Sequence, residues 1–317
     1  MNGKKIIFSL CLLTVCLMLN AQQKSFTVIP LGVYGGADES NLSSYMIAPT
    51  GSDDYICLDA GTLHAGLEKA VQVRLFTKDA ATVLKNNIKG YLISHPHLDH
   101  LAGLVINSPD DSSKSIYGMP FCLDVIADKY FSWKSWANFA DKGEAPVLKK
   151  YHYVNLFSDS VTKLEGTRMT VRAFELSHSN PYKSTAFLVS SNNASILYLG
   201  DTGADEIEKS SRMKELWQAV VPLIKAGQLK GIFIETSFPN EQPSTKLFGH
   251  LTPALLVKEM KQLAEFSGAE QLSNVPIIIT HIKPTGNNEE IIKKQLKEQK
   301  ELRLKFLFPK QAEKMEL

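Results

Sequence analysis

The chain has 317 residues, of which 44% are hydrophobic and 21% charged, with 19 Gly and 14 Pro. This composition excludes a disordered polymer, a collagen-like repeat and a small disulfide-rich scaffold, and the length is sufficient to bury a large hydrophobic core. The 35 Lys and Arg residues nearly balance the 33 Asp and Glu residues, so nothing in the charge favours a nucleic-acid-binding protein or a polybasic membrane anchor.

Residues 1–21 have the pattern of a secretory signal peptide. Lys4 and Lys5 precede the apolar run Ile6–Leu19, which is too short to span a bilayer comfortably. We therefore expect export to the periplasm or the medium, with residues 22–317 forming a single mature domain that does not span a membrane. A buried N-terminal helix is the alternative.

The mature chain would retain two of the four cysteines, Cys57 and Cys122. Both lie in apolar surroundings in the sequence. A disulfide between them is one possibility in an oxidising compartment, and two buried thiols are the other.

Short apolar segments bounded by turn residues predict β-strands along the mature chain. In chain order the predicted strands are Phe26–Ile29, Leu31–Tyr34, Ser43–Ile47, Tyr55–Leu58, Gly90–Ser94, Met169–Leu176, Ser184–Val189, Ser195–Leu199, Gly231–Glu235, Val275–Thr280 and Leu302–Phe308. The stretch between Ile116 and Leu156 is interpreted as a helical insertion with loops. Runs of strands with helices between some of them predict a layered α/β domain.

Three helices are predicted after residue 210. Two are Arg212–Ala226 and the charged amphipathic segment Asn288–Lys300. The other begins at Thr252, a favoured N-cap residue, with Pro253 at the first helical position and Gly268 as the expected stop.

The segment that follows the predicted strand Gly90–Ser94 concentrates chemically active side chains. His95, His97, Asp99 and His100 lie within six positions. Imidazole nitrogen and carboxylate oxygen are ligands of Zn²⁺, and Mn or Fe can use them as well. Four such groups on one short loop favour two metal ions close together. A polar surface loop with incidental histidines is the alternative.

Three further candidate ligands each follow a predicted strand. They are His178, Asp201 and His281. Strand ends are where an α/β fold collects its functional groups, so we expect all three to join the metal site. For Asp201 we expect a carboxylate that bridges two cations, with a helix N-cap as the alternative.

The segment from His95 to Pro109 (HPHLDHLAGLVINSP) resembles the signature of class II 3',5'-cyclic nucleotide phosphodiesterases, within the metallo-β-lactamase fold superfamily. The resemblance extends from about Phe26 to Phe308. Other stretches similar to that family are Leu31–Val33 with Gly35 and Gly36, Leu58–Thr62, Ile234–Phe238, Gly249–Pro253 and Thr280–Pro284.

This resemblance implies an α/β fold with four layers, an αββα sandwich of metallo-β-lactamase type, with two divalent metal ions at one edge. Zn²⁺ is the expected metal, and Mn²⁺ or Fe is the alternative. Asp59 is expected to support the metal loop from outside the ligand set. By position, one metal would be held by His95, His97 and His178, the other by Asp99, His100 and His281, with Asp201 between them.

The resemblance further implies hydrolysis of 3',5'-cyclic nucleotides, cAMP or cGMP or both, to 5'-nucleotides. A hydroxide bridging the two ions would be the nucleophile, and Asp99 would accept a proton from it while acting as a ligand. His250 lies just ahead of a predicted helix N-terminus and is expected to assist the leaving 3' oxygen; a solvent-facing loop residue is the alternative. Glu235 is expected either to orient His250 or a metal ligand, or to be a buried, hydrogen-bonded carboxylate.

Three other functions stay open at this point. They are another hydrolase of the same fold acting on a different phosphodiester, a lactam or a thioester; an iron-dependent oxidoreductase; and a binding protein with a degenerate site. The sequence does not choose between cAMP and cGMP, and it does not identify the oligomeric state or the residues that contact the nucleotide base.

Overall fold

The computed structural model describes residues 24–317, so the predicted signal segment lies outside the described residues. Two β-sheets face each other, and helices cover the outer face of each. The predicted four-layer αββα sandwich is therefore confirmed. Within residues 24–317, every helix is too short or too polar to cross a lipid bilayer.

The strands of residues 24–317 divide equally between the two sheets. In chain order they are β1 (Phe26–Gly32), β2 (Ser44–Pro49), β3 (Tyr55–Leu58), β4 (Ile88–Leu92), β5 (Lys114–Gly118), β6 (Tyr151–Asn155), β7 (Thr162–Leu164), β8 (Met169–Ser177), β9 (Lys183–Ser191), β10 (Ala194–Leu199), β11 (Leu229–Glu235), β12 (Ile277–Thr280), β13 (Phe306–Leu307) and β14 (Met315–Glu316).

The helices of the same residues fill the connections between the strands. They are α1 (His64–Gln72), α2 (Ala80–Asn86), α3 (Leu98–Asn107), α4 (Pro120–Val125), α5 (Asp205–Glu208), α6 (Arg212–Lys225), α7 (Pro253–Ser267), α8 (Ala269–Ser273) and α9 (Asn288–Lys297), with a π-helical turn at Ile126–Tyr130 and a 3₁₀ turn at Ser244–Lys246.

The two sheets have the same topology. The first has the order β14-β1-β2-β3-β4-β5-β6, and the second has the order β13-β12-β11-β10-β9-β8-β7. In each sheet four strands pair antiparallel and the strands beyond them pair parallel, with the change at β3 in one sheet and at β10 in the other. Since β14 comes from the end of the chain and pairs with β1, the first sheet ties both ends of the described chain together.

Three apolar layers hold the sandwich together. Aromatic side chains fill the space between the sheets, where the rings of Tyr45 on β2 and Phe233 on β11 meet edge to face with centroids 5.7 Å apart. The outer face of the first sheet packs against α1 to α4, and the outer face of the second sheet packs against α6, α7 and α9. Trp217 of α6 is fully buried in this last layer. Each large apolar side chain buried in this way stabilises the fold by about 1.5–3 kcal/mol.

The predicted helix that begins at Thr252 is confirmed. The Thr252 hydroxyl accepts a hydrogen bond from the backbone N–H of Leu255 at 3.4 Å, and Pro253 opens α7. The helix stops at Gly268, whose φ of 95° lies outside the range that other residues adopt readily.

The helical interpretation of the stretch between Ile116 and Leu156 is largely wrong, because this stretch carries β6 and most of β5, and its helical part is limited to the short helix α4 and the π-helical turn that follows it. The β6 strand has the period of two that an extended strand requires, with Tyr151 and Tyr153 buried and His152 exposed. The predicted strand Leu302–Phe308 shortens to β13.

Cys57 and Cys122 are buried free thiols, so they do not form the possible disulfide. Cys57 lies in β3 and Cys122 in α4, both within the layer between the first sheet and its helices. The apolar surroundings raise the pKa of both thiols, so neither is a reactive thiolate.

Candidate metal centre

The predicted site residues lie at one edge of the sandwich, because they follow strands that run in the same direction. His95 lies three residues past the end of β4, while Asp201 and His281 lie just past β10 and β12. His178 follows β8, which runs parallel to β10 since both pair antiparallel with β9. Carboxyl ends of parallel strands meet at one edge, and the two facing sheets bring their edges together.

One group of potential ligands combines the start of the metal loop with the end of β8. The Nε2 atom of His95 and the Nδ1 atom of His97 are 3.0 Å apart, and Nε2 of His178 is 3.4 Å from the same His97 atom. One ligand atom from each of these histidines and one from Asp201 all lie within 4.8 Å of one another.

A second group lies beside the first. It consists of Asp99, His100 and His281, whose ligand atoms also lie within 4.8 Å of one another. His281 Nε2 is 3.2 Å from Asp99 Oδ2 and 3.2 Å from Asp201 Oδ2.

Asp201 lies between the two groups. Its Oδ2 atom is 3.7 Å from His95 Nε2 in the first group, and its Oδ1 atom is 3.3 Å from His100 Nε2 in the second. The alternative role of a helix N-cap is wrong for Asp201, because the nearest helix, α5, begins at Asp205 with Ala204 before it. The carboxylate therefore has the geometry of a group that can contact two cations.

Four histidines of these groups are held through Nδ1, so that Nε2 faces the cluster. The supporting contacts come from a carboxylate, a backbone carbonyl and two serine hydroxyls. This arrangement fixes ring orientation and tautomer in metal sites. The pairs are His95 with Ser94 Oγ (3.0 Å), His100 with Asp59 Oδ2 (2.7 Å), His178 with Gly249 O (2.9 Å) and His281 with Ser237 Oγ (3.0 Å).

The donor set fits a pair of divalent cations. His100 Nε2 is buried and makes no hydrogen bond within the described residues, although it points at Asp201. Burial lowers the pKa of His178 to about 4, so this ring is neutral near pH 7 and its nitrogen lone pair is available. At His100 burial is outweighed by Asp201, Asp59 and Asp99, which raise the pKa well above its usual value. The same carboxylates favour a metal cation.

Asp59 supports this arrangement from beneath the metal loop. Its fully buried carboxylate accepts hydrogen bonds from the Ser94 backbone N–H at 2.8 Å, the Ser94 hydroxyl at 2.9 Å and the Tyr198 hydroxyl at 2.7 Å. It also accepts the Nδ1–H of His100. This expected support is confirmed, and the carboxylate links both sheets, because Ser94 follows β4 of the first sheet and Tyr198 belongs to β10 of the second.

The backbone at the site is strained where it turns. Asp59 and His281 have φ of 55° and 56°, in the left-handed region that residues with a side chain rarely adopt. A Cβ atom at Gly35 would overlap the imidazole ring of His281, so a glycine is required at this approach. Such strain persists only where the surrounding contacts fix the conformation, as the bonds to Asp59 do here.

His250 lies at the same cluster and is paired with Glu235. Its Nδ1–H donates to Glu235 Oε1 at 2.7 Å, and the ring is almost fully buried, so the expected alternative of a solvent-facing loop residue is wrong. Burial alone lowers the pKa of His250, but the charge and hydrogen bond of Glu235 outweigh burial and raise it. One ligand atom each from Asp201, His250 and His281 also lie within 4.8 Å of one another.

Glu235 is itself held in place. Its fully buried carboxylate accepts hydrogen bonds from the Ser237 hydroxyl at 2.6 Å and from the backbone N–H of Thr202 at 3.1 Å. The carboxylate therefore has both roles expected from the sequence, since it is buried and hydrogen-bonded and it also orients His250.

The two remaining described histidines lie away from the cluster. His64 begins α1 and His152 lies in β6, and both side chains are about two-thirds exposed. Sequence reasoning missed Ser94, Ser237 and the Gly249 carbonyl as supports of the ligand rings. For the serines the available signal is adjacency, because each is within two residues of a predicted site residue.

Comparisons with known proteins agree with this geometry. The family model of the class II cAMP phosphodiesterases matches residues 77–310. The chain is 41% identical to the 3',5'-cyclic-nucleotide phosphodiesterase of Aliivibrio fischeri, over 97% of this chain and 98% of that protein. It is 36% identical to a probable 3',5'-cyclic-nucleotide phosphodiesterase of Yersinia pestis, over 95% of this chain and 92% of that protein.

Solved structures support the fold. The crystal structure of unliganded yeast PDE1 superposes with a TM-score of 0.82 at 23% identity, covering 93% of this chain and all of that one. The metallo-β-lactamase fold protein YhfI of Bacillus subtilis gives a TM-score of 0.60 at 17% identity, with 92% and 99% coverage. By its match to the family model and to these relatives, the chain belongs to the class II cyclic-nucleotide phosphodiesterase family.

Proposed function

We propose that this protein hydrolyses 3',5'-cyclic nucleotides to 5'-nucleotides at the cluster formed by the metal loop, His178, Asp201 and His281. The observation that carries the proposal is the convergence of two ligand groups on the shared carboxylate of Asp201 in a member of this family. Two divalent cations held there would supply a nucleophile at neutral pH and neutralise the charge of the phosphate.

The residues divide into holding and proton-transfer roles. His95, His97 and His178 would hold one cation, and Asp99, His100 and His281 the other, with Asp201 contacting both. Asp99 is half-buried. Burial raises the pKa of its carboxyl, but the charge of His100 and the hydrogen bond to His281 outweigh burial and lower it. In the proposed reaction its carboxylate accepts a proton from the attacking water.

The reaction breaks the bond between phosphorus and the 3' oxygen and forms one from phosphorus to the oxygen of water. The 3' oxygen then requires a proton. We propose that His250 delivers this proton. Glu235 holds the Nδ1 atom of His250, and the Nε2 atom of the same ring makes no hydrogen bond within residues 24–317, so Nε2 is available to donate the proton. Positioned proton transfer of this kind contributes about 10²–10⁴-fold to a rate.

The test is product analysis with cAMP and cGMP in ¹⁸O-labelled water. We expect 5'-AMP or 5'-GMP, with one ¹⁸O atom in the phosphate. A His250→Asn variant should retain its metal content and lose about 10²-fold or more in kcat. A 3'-nucleotide product, or no turnover of either nucleotide by metal-loaded protein, would refute the proposal.

The metal that we propose is Zn²⁺, because a set of imidazole and carboxylate ligands suits this ion. Protein purified without added metal should contain two zinc ions per chain by elemental analysis. Two iron or manganese ions per chain would reject zinc and keep the site.

We also propose that residues 1–21 direct export and that residues 22–317 form the working domain. The support is the sequence pattern, in which Lys4 and Lys5 precede the short apolar run Ile6–Leu19. Mass spectrometry of protein recovered from the periplasm or the medium should give an N-terminus near Gln22. Recovery from the cytoplasm with residues 1–21 retained would contradict export.

A further inference from the structure

In the proposed function the cluster binds the phosphate of the substrate. None of its residues has been assigned a contact with the nucleotide base. Large apolar side chains stand exposed at three places next to cluster residues, two on loops and one at the start of α3. These side chains are Leu98 between two predicted ligands, Tyr182 after His178, and Phe248 before His250, with 59%, 62% and 65% of their surface exposed.

Tyr182 lies against the cluster itself. Its ring centroid is 5.6 Å from that of His97, and the two rings meet nearly edge to face. The loop that carries it is closed, because its backbone N–H donates to Ser179 O at 3.2 Å and its carbonyl accepts from the His178 N–H at 3.4 Å. The exposed ring is therefore held at a defined place beside a predicted ligand.

Phe248 lies on a loop that touches the first one. The carbonyl of the next residue, Gly249, accepts a hydrogen bond from His178 Nδ1, and a Cβ atom at Gly249 would overlap the backbone nitrogen of Ser179. Phe248 has a φ of 52°, which is strained for a bulky residue. Phe248 therefore combines an exposed aromatic side chain with an unfavourable backbone conformation, and the packing of the fold alone explains neither feature.

We infer that Tyr182 and Phe248 form a nucleobase subsite, against which the purine of the cyclic nucleotide stacks while its phosphate occupies the metal centre. This inference rests on the proposed function. We choose a nucleobase as the group that binds here because the Tyr182 ring is adjacent to His97. A group joined to a phosphate at His97 can reach the Tyr182 ring. Stacking uses the π-face that every base has, so the subsite strengthens binding of cAMP and cGMP alike.

Other side chains near the site are occupied within the fold. Phe139 packs on the core beside the first sheet. The indole N–H of Trp136 donates to Ser108 Oγ at 3.0 Å, and Ser184 and Thr185 are fully buried.

The experiment compares three substrates, namely cAMP, cGMP and the 3,5-cyclic phosphate of methyl riboside, which has no base. The variants are Tyr182→Ala and Phe248→Ala, with Tyr182→Phe to retain the ring. Val161→Ala is the matched control, because Val161 is 67% exposed and lies before β7, outside the loops of the cluster. Metal content is measured for every variant.

We expect the KM for cAMP and for cGMP to rise about tenfold in each alanine variant, which lies within the range for loss of a base–aromatic stack. For the base-free substrate, which has no base to stack, KM should stay close to the wild-type value in both alanine variants. Tyr182→Phe should recover most of the loss, and Val161→Ala should match the wild type.

Two outcomes would overturn the inference in distinguishable ways. If the wild type hydrolyses cAMP but both alanine variants keep its KM, or change KM equally for the base-free substrate, the subsite is wrong and the proposed function stands. If metal-loaded wild type hydrolyses none of the three substrates, the proposed function fails and the subsite fails with it. Because Tyr182 and Phe248 are mostly exposed, both variants should fold.

Discussion

Replacing Asp59 by Asn should weaken one of the two metal positions without removing any predicted ligand. The Asp59 carboxylate accepts the Nδ1–H of His100 at 2.7 Å, so the ring keeps its proton on Nδ1 and presents the Nε2 lone pair once a cation displaces the proton from Nε2. An Asn side chain that turned its NH₂ group toward His100 would force Nδ1 to become the acceptor. The proton would then lie on Nε2, which could no longer bind a cation.

The expected size follows from the contacts that are lost. Asp59 is fully buried and accepts four hydrogen bonds, and an Asn carbonyl oxygen can replace only part of that set. Loss of such a supporting partner typically costs 10- to 100-fold in metal affinity. This corresponds to about 1.4–2.7 kcal/mol of binding free energy.

The assay is a titration of metal-free protein with Zn²⁺, with Asp110→Asn as the matched control because Asp110 is exposed. Asp59→Asn should bind the first ion near the wild-type affinity and the second, held by Asp99, His100 and His281, about 10- to 100-fold more weakly. Two ions bound with wild-type affinities would refute the reasoning.

Three further changes test other parts of the structure. Lys114→Met should destabilise the fold by about 3–5 kcal/mol in urea unfolding, because it leaves the Asp111 carboxylate, 2.7 Å from Lys114 Nζ, buried without its cation; a loss below 1 kcal/mol would contradict this. Burial raises the pKa of Glu259, so the folded state holds its proton to higher pH than the unfolded state, and stability present at low pH is lost as pH rises. Between pH 4 and 7, the free energy of unfolding of the wild type should therefore fall relative to that of Glu259→Gln. A difference between the two proteins that does not change with pH would contradict this prediction. Gly35→Ala should displace the His281 ring and lower bound metal to about one ion per chain. Two bound ions per chain would contradict the overlap expected between an alanine Cβ at position 35 and the His281 ring.

Much of the site was predictable because its chemistry is local in the sequence. The four ligand groups between His95 and His100 lie on one loop, and His178, Asp201 and His281 each follow a strand that its apolar run reveals. The helix that starts at Thr252 was predictable for the same reason, since its cap and its stop are local signals.

The rest depends on contacts between distant parts of the chain. Asp59 and Tyr198 are 139 positions apart, and their hydrogen bond exists only because two sheets face each other. The exposure of Tyr182 and Phe248 likewise follows from how two loops meet, and no local pattern predicts it. The strand β6 was missed for a different reason, because its alternation is short and lies among turn residues.

The measurement that tests the central claim most directly is hydrolysis of cAMP and cGMP by protein beginning at Gln22, with bound metal counted in the same samples. A His97→Ala variant removes one predicted ligand, and His64→Ala removes an exposed histidine outside the cluster. We expect 5'-nucleotide from the wild type and from His64→Ala, with two ions per chain, and loss of both activity and metal in His97→Ala. Full activity in His97→Ala, or full metal content in the wild type with no hydrolysis of either nucleotide, would contradict the account.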